Sequence, residues 1–154
     1  MFVAHSLLLI RISYAEEDSN LAEEISLGLE AKGYTTWYYE RDSIPGLSYL
    51  IQLSQAIQQA EVVVLIISPH SINSHQVTKE VEWTHEFDKP VIPLLLQIKR
   101  EEYITRQRKW AAALGTTTSL TIPTEGISAV LPRILRGLGR IMEEARERRE
   151  RGEG

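Results

Sequence analysis

The 154-residue chain contains no cysteine, which excludes a disulfide framework, a thiolate nucleophile and a cysteine-ligated metal centre. No apolar stretch approaches the roughly 20 residues that a membrane-spanning helix needs. The first ten residues have no basic segment ahead of their short apolar stretch, so we expect no signal peptide. Together these absences predict a cytoplasmic protein with no membrane partner.

Positive charge is also scarce, since 17 Lys and Arg residues stand against 21 Asp and Glu, a net charge of −4. This balance gives no electrostatic reason to expect direct binding to nucleic acid. The chain has no GxGxxG, P-loop, GxSxG or HExxH motif. Three histidines, His70, His75 and His85, are not spaced as metal ligands, so we expect no metal site. A phosphoacceptor domain would need an aspartate where this chain has Ser68.

What the sequence does contain is an alternation of short apolar runs with amphipathic segments. The predicted strands are residues 7–12, 34–39, 62–67, 91–96 and 116–122. Strands of this kind, each followed by a helix, form a parallel sheet that is covered on both faces. We predict a flavodoxin-like three-layer α/β sandwich, sheet order 2-1-3-4-5, over residues 1–142. Residues 143–154 are predicted to be a charged tail, a frayed helix or a linker.

In such a sheet the loops after Ile12, Tyr39 and Ile67 meet at the carboxyl edge, where open α/β sheets bind ligands. The loops carry hydroxyls and aromatic rings and few carboxylates, which suits a nucleotide or a sugar better than a metal. Candidate binding residues here are Ser13, Tyr14, Trp37, Tyr38, Ser68 and Ser71.

Several of these residues have a structural interpretation as well. Trp37 and Tyr38 could pack in the core, and Tyr14 could cover the sheet edge. The cluster of residues 40–42 could form local ion pairs in a solvated loop. Glu80 could serve the helix dipole in the first turn of its helix, or it could be a reagent between apolar walls. The residues alone leave both interpretations open.

Five sequence segments follow one another along the chain in a specific order. They are Leu9–Tyr14, ending in Ile-Ser-Tyr; Gly33–Trp37 with Arg41-Asp42 and Pro45-Gly46; Val62–Pro69 with Ser71; Ser74–Val81; and Lys89–Pro93. In this order they resemble the motifs of bacterial TIR (Toll/interleukin-1 receptor) domains, over residues 7–142.

The resemblance implies the same flavodoxin-like fold and an NAD+ glycohydrolase or cyclase activity of bacterial immunity, antiphage defence or cell death. NAD+ would be the substrate, with no separate cofactor. Glu80 matches the family's catalytic glutamate, and Gln76 stands where many active members have tryptophan. Arg11 stands where an apolar residue is usual, a departure that could disturb the first strand. The implied binding residues are those named above together with Gln76.

The resemblance also implies assembly through the BB loop, residues 40–48, with Arg41, Asp42, Pro45 and Gly46. In the family this loop commonly completes the site of a neighbouring copy, so activity would depend on self-association or on other TIR domains. A fused or separate sensor module would then control it. The alternative is a non-enzymatic scaffold that recruits TIR partners through the BB loop. A weaker alternative is a nucleoside-processing enzyme such as a deoxyribosyltransferase.

Overall fold

The computed structural model describes residues 9–152, and its centre is a five-stranded parallel sheet. The strands are β1 (Leu9–Ser13), β2 (Thr35–Trp37), β3 (Val62–Ile67), β4 (Val91–Leu95) and β5 (Leu120–Thr121). Their order is β2-β1-β3-β4-β5, which confirms the predicted flavodoxin-like topology. Residues 7 and 8 of the first predicted strand, and the predicted absence of a signal peptide, lie outside the described residues.

Helices cover both faces of the sheet. They are α1 (Ser19–Glu30), α2 (Tyr39–Asp42), α3 (Tyr49–Gln59), α4 (His75–Glu86), α5 (Arg100–Arg106), α6 (Arg108–Leu114) and α7 (Leu131–Glu150). Short 3-10 turns at Glu16–Asp18 and Ser71–Asn73 follow β1 and β3. The apolar residues of α1 and α7 pack on one face of the sheet, and those of α4, α5 and α6 pack on the other. The result is a three-layer sandwich.

Alternation along each strand divides its side chains between the two layers. In β1, Ile10 and Ile12 enter the core beneath α1 and α7. Arg11 and Ser13 therefore point to the opposite face, on which α4 packs. Arg11 does not disturb the strand, because it pairs in register with Trp37 of β2 and Val63 of β3. The arginine can be buried in the sheet because the Glu80 carboxylate of α4 forms an ion pair with it.

Three elements differ in extent from the sequence-based expectation. β2 has only three residues, and Tyr39 already begins the helical turn α2 rather than ending a strand. β5 has two residues of the seven expected. α7 continues through residue 142 as far as Glu150, so the described part of the charged tail is helical, with ion pairs from Arg140 to Glu143 and Glu144. The domain boundary at residue 142 stays a prediction.

Candidate functional site

A cleft of about 890 Å³ opens at the carboxyl edge of the sheet, beside the end of β1 and the start of α4. The residues that line it include Arg11, Tyr14, Glu40, His70, Gln76 and Glu80. This volume falls within the range of sites that bind small molecules. Of the predicted binding residues, the structure brings Tyr14 and Gln76 to the cleft together with Glu80.

Helix α4 places Glu80 at the base of the cleft. The helix begins after Ser74, whose hydroxyl accepts a hydrogen bond from the Val77 amide at 3.2 Å. Glu80 is the sixth residue of α4, beyond the first turn, and it is only 1% exposed. An acid that serves the helix dipole lies in the first turn and faces water, so that interpretation does not fit Glu80.

Arg11 of β1 is the ionic partner of Glu80 and is equally buried. Its Nη2 atom donates to Glu80 Oε2 at 2.8 Å, and its Nη1 atom donates to the carbonyl of Ile12. The guanidinium carbon lies 4.7 Å from the centroid of the Trp37 ring, a distance at which the ring face attracts a cation. Each buried charge thus has the opposite charge beside it, as burial requires.

The environment of Glu80 perturbs its acidity in two opposing ways. Burial raises the pKa of Glu80, whereas the charge of Arg11 and, more weakly, the polar groups of Ser13 and Gln76 lower it. Glu80 Oε1 has no hydrogen-bond partner among residues 9–152, and neither has the buried hydroxyl of Ser13. Ser13 is therefore near the carboxylate without a hydrogen bond of normal geometry. One carboxylate oxygen is held, and the other is unengaged.

Tyr14 connects this acid to the BB loop. Its ring is buried and packs edge-on against Tyr38 with 6.3 Å between centroids. Its hydroxyl accepts a hydrogen bond from the Glu40 amide at 3.0 Å, which ties the end of β1 to the start of the loop. Burial raises the pKa of Tyr14, so the phenol stays neutral at physiological pH. Tyr14 therefore both covers the sheet edge and forms a wall of the cleft.

Ser68 and Ser71 do not line the cleft, contrary to the sequence-based expectation. Both are fully buried, and the amide of Ser68 donates to Ser71 Oγ at 2.8 Å. The hydroxyl of Ser68 donates to the carboxylate of Asp18 at 2.5 Å, which joins the turn after β1 to the end of β3. These two serines thus support the backbone beneath the cleft instead of facing a ligand.

Three further predicted binding residues lie outside the cleft lining. Tyr38 is 6% exposed and belongs to the core beneath α1 and α7, so it has the packing role and not the stacking role. Trp37 is partly buried and contacts Arg11. Ser13 is buried and lines a second, smaller cavity of about 240 Å³ on the α4 face of the sheet.

The start of the BB loop is anchored by Arg41. This side chain forms ion pairs with Asp42 and with Glu30 of α1, each at 2.9 Å, and it donates to the carbonyl of Thr36 at 2.7 Å. The local ion pairs considered for residues 40–42 therefore exist. They fix the point at which the loop leaves the sheet.

The remainder of the BB loop projects into solvent. Pro45 and Gly46 are exposed, and Gly46 has φ +89°, a backbone conformation that favours glycine. Next to them lies an exposed apolar patch, which consists of Ile44, Leu47, Tyr49, Leu50 and Ile51, each between 42% and 60% exposed. Adjacent exposed apolar side chains of this kind are typical of protein-binding surfaces.

Arg11 is a cleft residue that is not among the site residues predicted from the sequence, although the sequence carries a signal for it. A single charged residue in an otherwise apolar, doubly covered strand must find a counter-charge when it is buried. Glu80 was the one acid already suspected of burial. The pairing of these two residues could therefore have been inferred before the structure.

Residues 9–152 contain neither a cluster of metal-ligating side chains nor a membrane-spanning helix. No group of three or more histidine or acidic residues there is arranged to hold a metal ion. No helix in that part of the chain is long and apolar enough to cross a membrane.

Comparison with known families identifies the domain. The family model described as TIR domain matches residues 10–120, a segment that contains both Arg11 and Glu80. The chain belongs to the TIR-domain family. Among curated proteins, mouse Toll-like receptor 6 is 27% identical to this TIR domain over 121 residues, which are 74% of this chain and 15% of the receptor.

Solved structures agree with this assignment. The TIR domains of the activated Roq1 resistosome, which recognises the effector XopQ, superpose with a TM-score of 0.71 at 18% identity and cover 85% of this chain and 99% of that one. The CMP N-glycosidase BcmB of Clostridium botulinum gives 0.55 at 16% identity, over 82% of this chain and 97% of the enzyme. At these identities the likeness shows a common fold.

Proposed function

We propose that this TIR domain cleaves the bond between nicotinamide and ribose in NAD+, releasing nicotinamide with ADP-ribose or a cyclic isomer. The observation that supports this function best is the Glu80 carboxylate, which is 1% exposed and lines a cleft of small-molecule size. One of its oxygens has no hydrogen-bond partner within residues 9–152. A buried acid at a sheet edge that binds ligands is a candidate for chemistry.

The chemistry requires only one carboxylate. Nicotinamide in NAD+ is a cationic leaving group, so the bond from its nitrogen to the ribose carbon breaks without a general acid, unlike an ordinary glycosidic bond. The electron pair leaves with neutral nicotinamide, and positive charge develops on the ribose. Glu80 holds the ribose hydroxyls and stabilises that charge. Water then adds to the ribose carbon and loses a proton, or an internal nucleophile adds and gives the cyclic isomer.

The other cleft residues have supporting roles in this proposal. Tyr14 presents an aromatic wall on which a nicotinamide or adenine ring can pack. Gln76, exposed one helical turn before Glu80, offers an amide to the substrate from the place where many relatives carry tryptophan. Ser13, which lies outside the cleft lining, acts on the carboxylate itself, and its polar group lowers the pKa of Glu80.

We place this activity in the cytoplasm, in bacterial immune or cell-death signalling that is switched on by assembly. The exposed BB loop and its apolar patch would contact a neighbouring copy, and contacts of this head-to-tail kind build open filaments unless they close. A sensor module, fused or separate, would control the assembly.

Release of nicotinamide from NAD+ by the purified protein tests the function, over a range of protein concentrations that exposes dependence on assembly. We expect turnover that rises more than linearly with concentration and that Glu80→Gln abolishes. Gln retains the size of the side chain and its hydrogen-bonding capacity while removing the charge. Glu82→Gln, an exposed acid on the same helix, is the matched control and should keep full turnover. Equal turnover by the wild type and Glu80→Gln would refute the assignment. Parallel assays with CMP and deoxynucleosides test for other N-glycosidic substrates.

The exposed apolar patch favours a second candidate, a non-enzymatic scaffold that binds TIR partners. Five neighbouring apolar side chains in solvent are explained by a protein contact whether or not catalysis occurs. Under this hypothesis Leu47→Asp abolishes self-association in sedimentation experiments. NAD+ is then not cleaved at any protein concentration.

A further inference from the structure

We infer that Arg11 is a positioning residue: its guanidinium holds one oxygen of the Glu80 carboxylate, supplies the positive charge that favours the ionised acid inside the protein, and leaves the second oxygen to a substrate hydroxyl. The inference deepens the proposed NAD+ cleavage and rests on it for the identity of the substrate. It assigns a role to the one residue of the cleft that departs from the apolar pattern of β1.

The contacts of Arg11 fix its position independently of Glu80. Nη1 is bound to the Ile12 carbonyl, the guanidinium lies 4.7 Å from the Trp37 ring centroid, and the side chain is 1% exposed. An arginine held in this way is a preorganised donor that loses little freedom when it binds a carboxylate. It therefore determines where Glu80 Oε2 lies, at 2.8 Å from Nη2.

The unpaired atoms point to the place where a ligand would bind. Arg11 Nε, Glu80 Oε1 and Ser13 Oγ are all buried, and none of the three has a hydrogen-bond partner among the described residues. Buried polar atoms are nearly always paired in folded proteins, so an unpaired acceptor on a carboxylate that lines the cleft indicates a donor supplied from outside. A ribose hydroxyl bound in the cleft would donate to Oε1, while Oε2 stays with Arg11.

The ionisable groups around the pair leave Arg11 as the only cation that acts on Glu80. From the end of β1 there is Tyr14, and from the BB loop there are Glu40 and Asp42, whose charge acts on Arg11 or Tyr14. Two neutral side chains also act on Glu80: Gln76 from α4 and Ser13 from β1. Without Arg11 no positive charge acts on the buried acid in the described part of the chain.

A different role, in which Arg11 blocks Glu80 and must move away before catalysis, makes the opposite prediction. Removing a blocking residue raises turnover at neutral pH. Removing a positioning residue lowers it, because a buried carboxylate without a counter-charge takes up a proton.

The test compares Arg11→Met with the wild type in steady-state NAD+ cleavage between about pH 5.5 and about pH 9. Methionine keeps much of the length of the side chain and its packing under Trp37. In the profile of kcat against pH, we expect the acidic limb to move to higher pH by about one unit or more in Arg11→Met. The change in KM should be smaller. Arg11→Lys, which restores the charge, should return the limb toward its wild-type position. Arg136→Met, at an exposed position of α7, is the control and should change nothing.

A second readout needs no activity. The side-chain carboxyl ¹³C signal of Glu80, assigned by its loss in Glu80→Gln, reports its titration. We expect this signal to titrate at a higher pH in Arg11→Met than in the wild type, because burial raises the pKa of Glu80 and Arg11 opposes that rise. Three results would overturn the inference: an acidic limb of the kcat profile that does not move, increased turnover in Arg11→Met, or a Glu80 signal that titrates at the same pH in Arg11→Met as in the wild type. The Glu80 signal could move as expected while neither the wild type nor any variant cleaves NAD+. In that case the proposed function is wrong, but the conclusion that Arg11 positions Glu80 is retained.

Discussion

Breaking the buried ion pair from either side should destabilise the protein strongly, and for different reasons. Arg11→Met leaves the carboxylate of Glu80 without its only ion pair at 1% exposure, and Glu80→Met leaves a buried guanidinium. Removal of one member of a buried pair costs about 3–5 kcal/mol. For a domain of this size a loss of about 3 kcal/mol lowers the melting temperature by about 6–12 °C. The double variant, with two apolar side chains in contact, should recover most of the loss.

The pH dependence distinguishes the two single variants. In Arg11→Met the pKa of Glu80 in the folded state rises further above its unfolded value, because burial no longer has an opposing charge. The folded state then binds more protons than the unfolded chain, so its stability falls as the pH rises between those two pKa values. The deficit relative to the wild type should be smaller at about pH 5 than at about pH 8. In Glu80→Met the deficit should instead shrink as the pH rises, because the variant lacks this acid while the raised pKa of Glu80 makes the wild type itself lose stability.

Urea unfolding followed by circular dichroism measures all four proteins at both pH values. The coupling free energy is the difference between the loss in the double variant and the summed losses in the single variants. Independent sites add to within about 0.5 kcal/mol. Coupling of that size or smaller, or a deficit of Arg11→Met that does not depend on pH, would refute the view that the pair is a buried ion pair.

Two further predictions concern contacts near the cleft. Ser68→Ala removes the donor to the buried carboxylate of Asp18 and should lower the free energy of unfolding by about 1–3 kcal/mol in urea; a loss within experimental error would contradict this role. Although burial acts to raise the pKa of Glu30, hydrogen bonds from Thr36 and Arg41 outweigh it and the pKa is lowered. The stability that this acid contributes is therefore present above its unfolded value of 4.5 and is lost as the pH falls through the lower folded value. Arg41→Gln should be less stable than the wild type at about pH 7, and this difference should shrink as the pH falls through the folded pKa of Glu30, whereas a constant difference would exclude the charge as its cause.

Local patterns were sufficient for the parts of this protein that depend on neighbours along the chain. Six consecutive apolar residues predicted β3, and the spacing of Leu53 and Ile57 predicted the buried side of α3. Burial on both faces explains why such strands form a parallel sheet, so the order of the five strands followed from the alternation of strands and helices. The same reasoning placed Glu80 on a helix beside a ligand-binding edge.

Only the tertiary structure decided which polar side chains face the cleft. The alternation of a strand predicts that neighbouring side chains point to opposite faces of the sheet. The packing of α1 and α7 decides that Tyr38 lies in the core on their face. Ser68 and Ser71 are buried because the turn after β1 approaches them and supplies Asp18 as a partner. These are contacts between distant parts of the chain, which no local pattern contains.

The pairing of Arg11 with Glu80 shows the same division. The sequence by itself determined that an arginine, Arg11, interrupts an apolar strand. It also determined that an acidic residue, Glu80, lies near the start of a helix 69 residues later. Folding decided that the two side chains reach the same buried point and that one carboxylate oxygen has no hydrogen-bond partner in the described part of the chain. The physical reason is that the cost of burying each charge depends on the other, so neither residue has a defined role until the sheet and α4 have packed together.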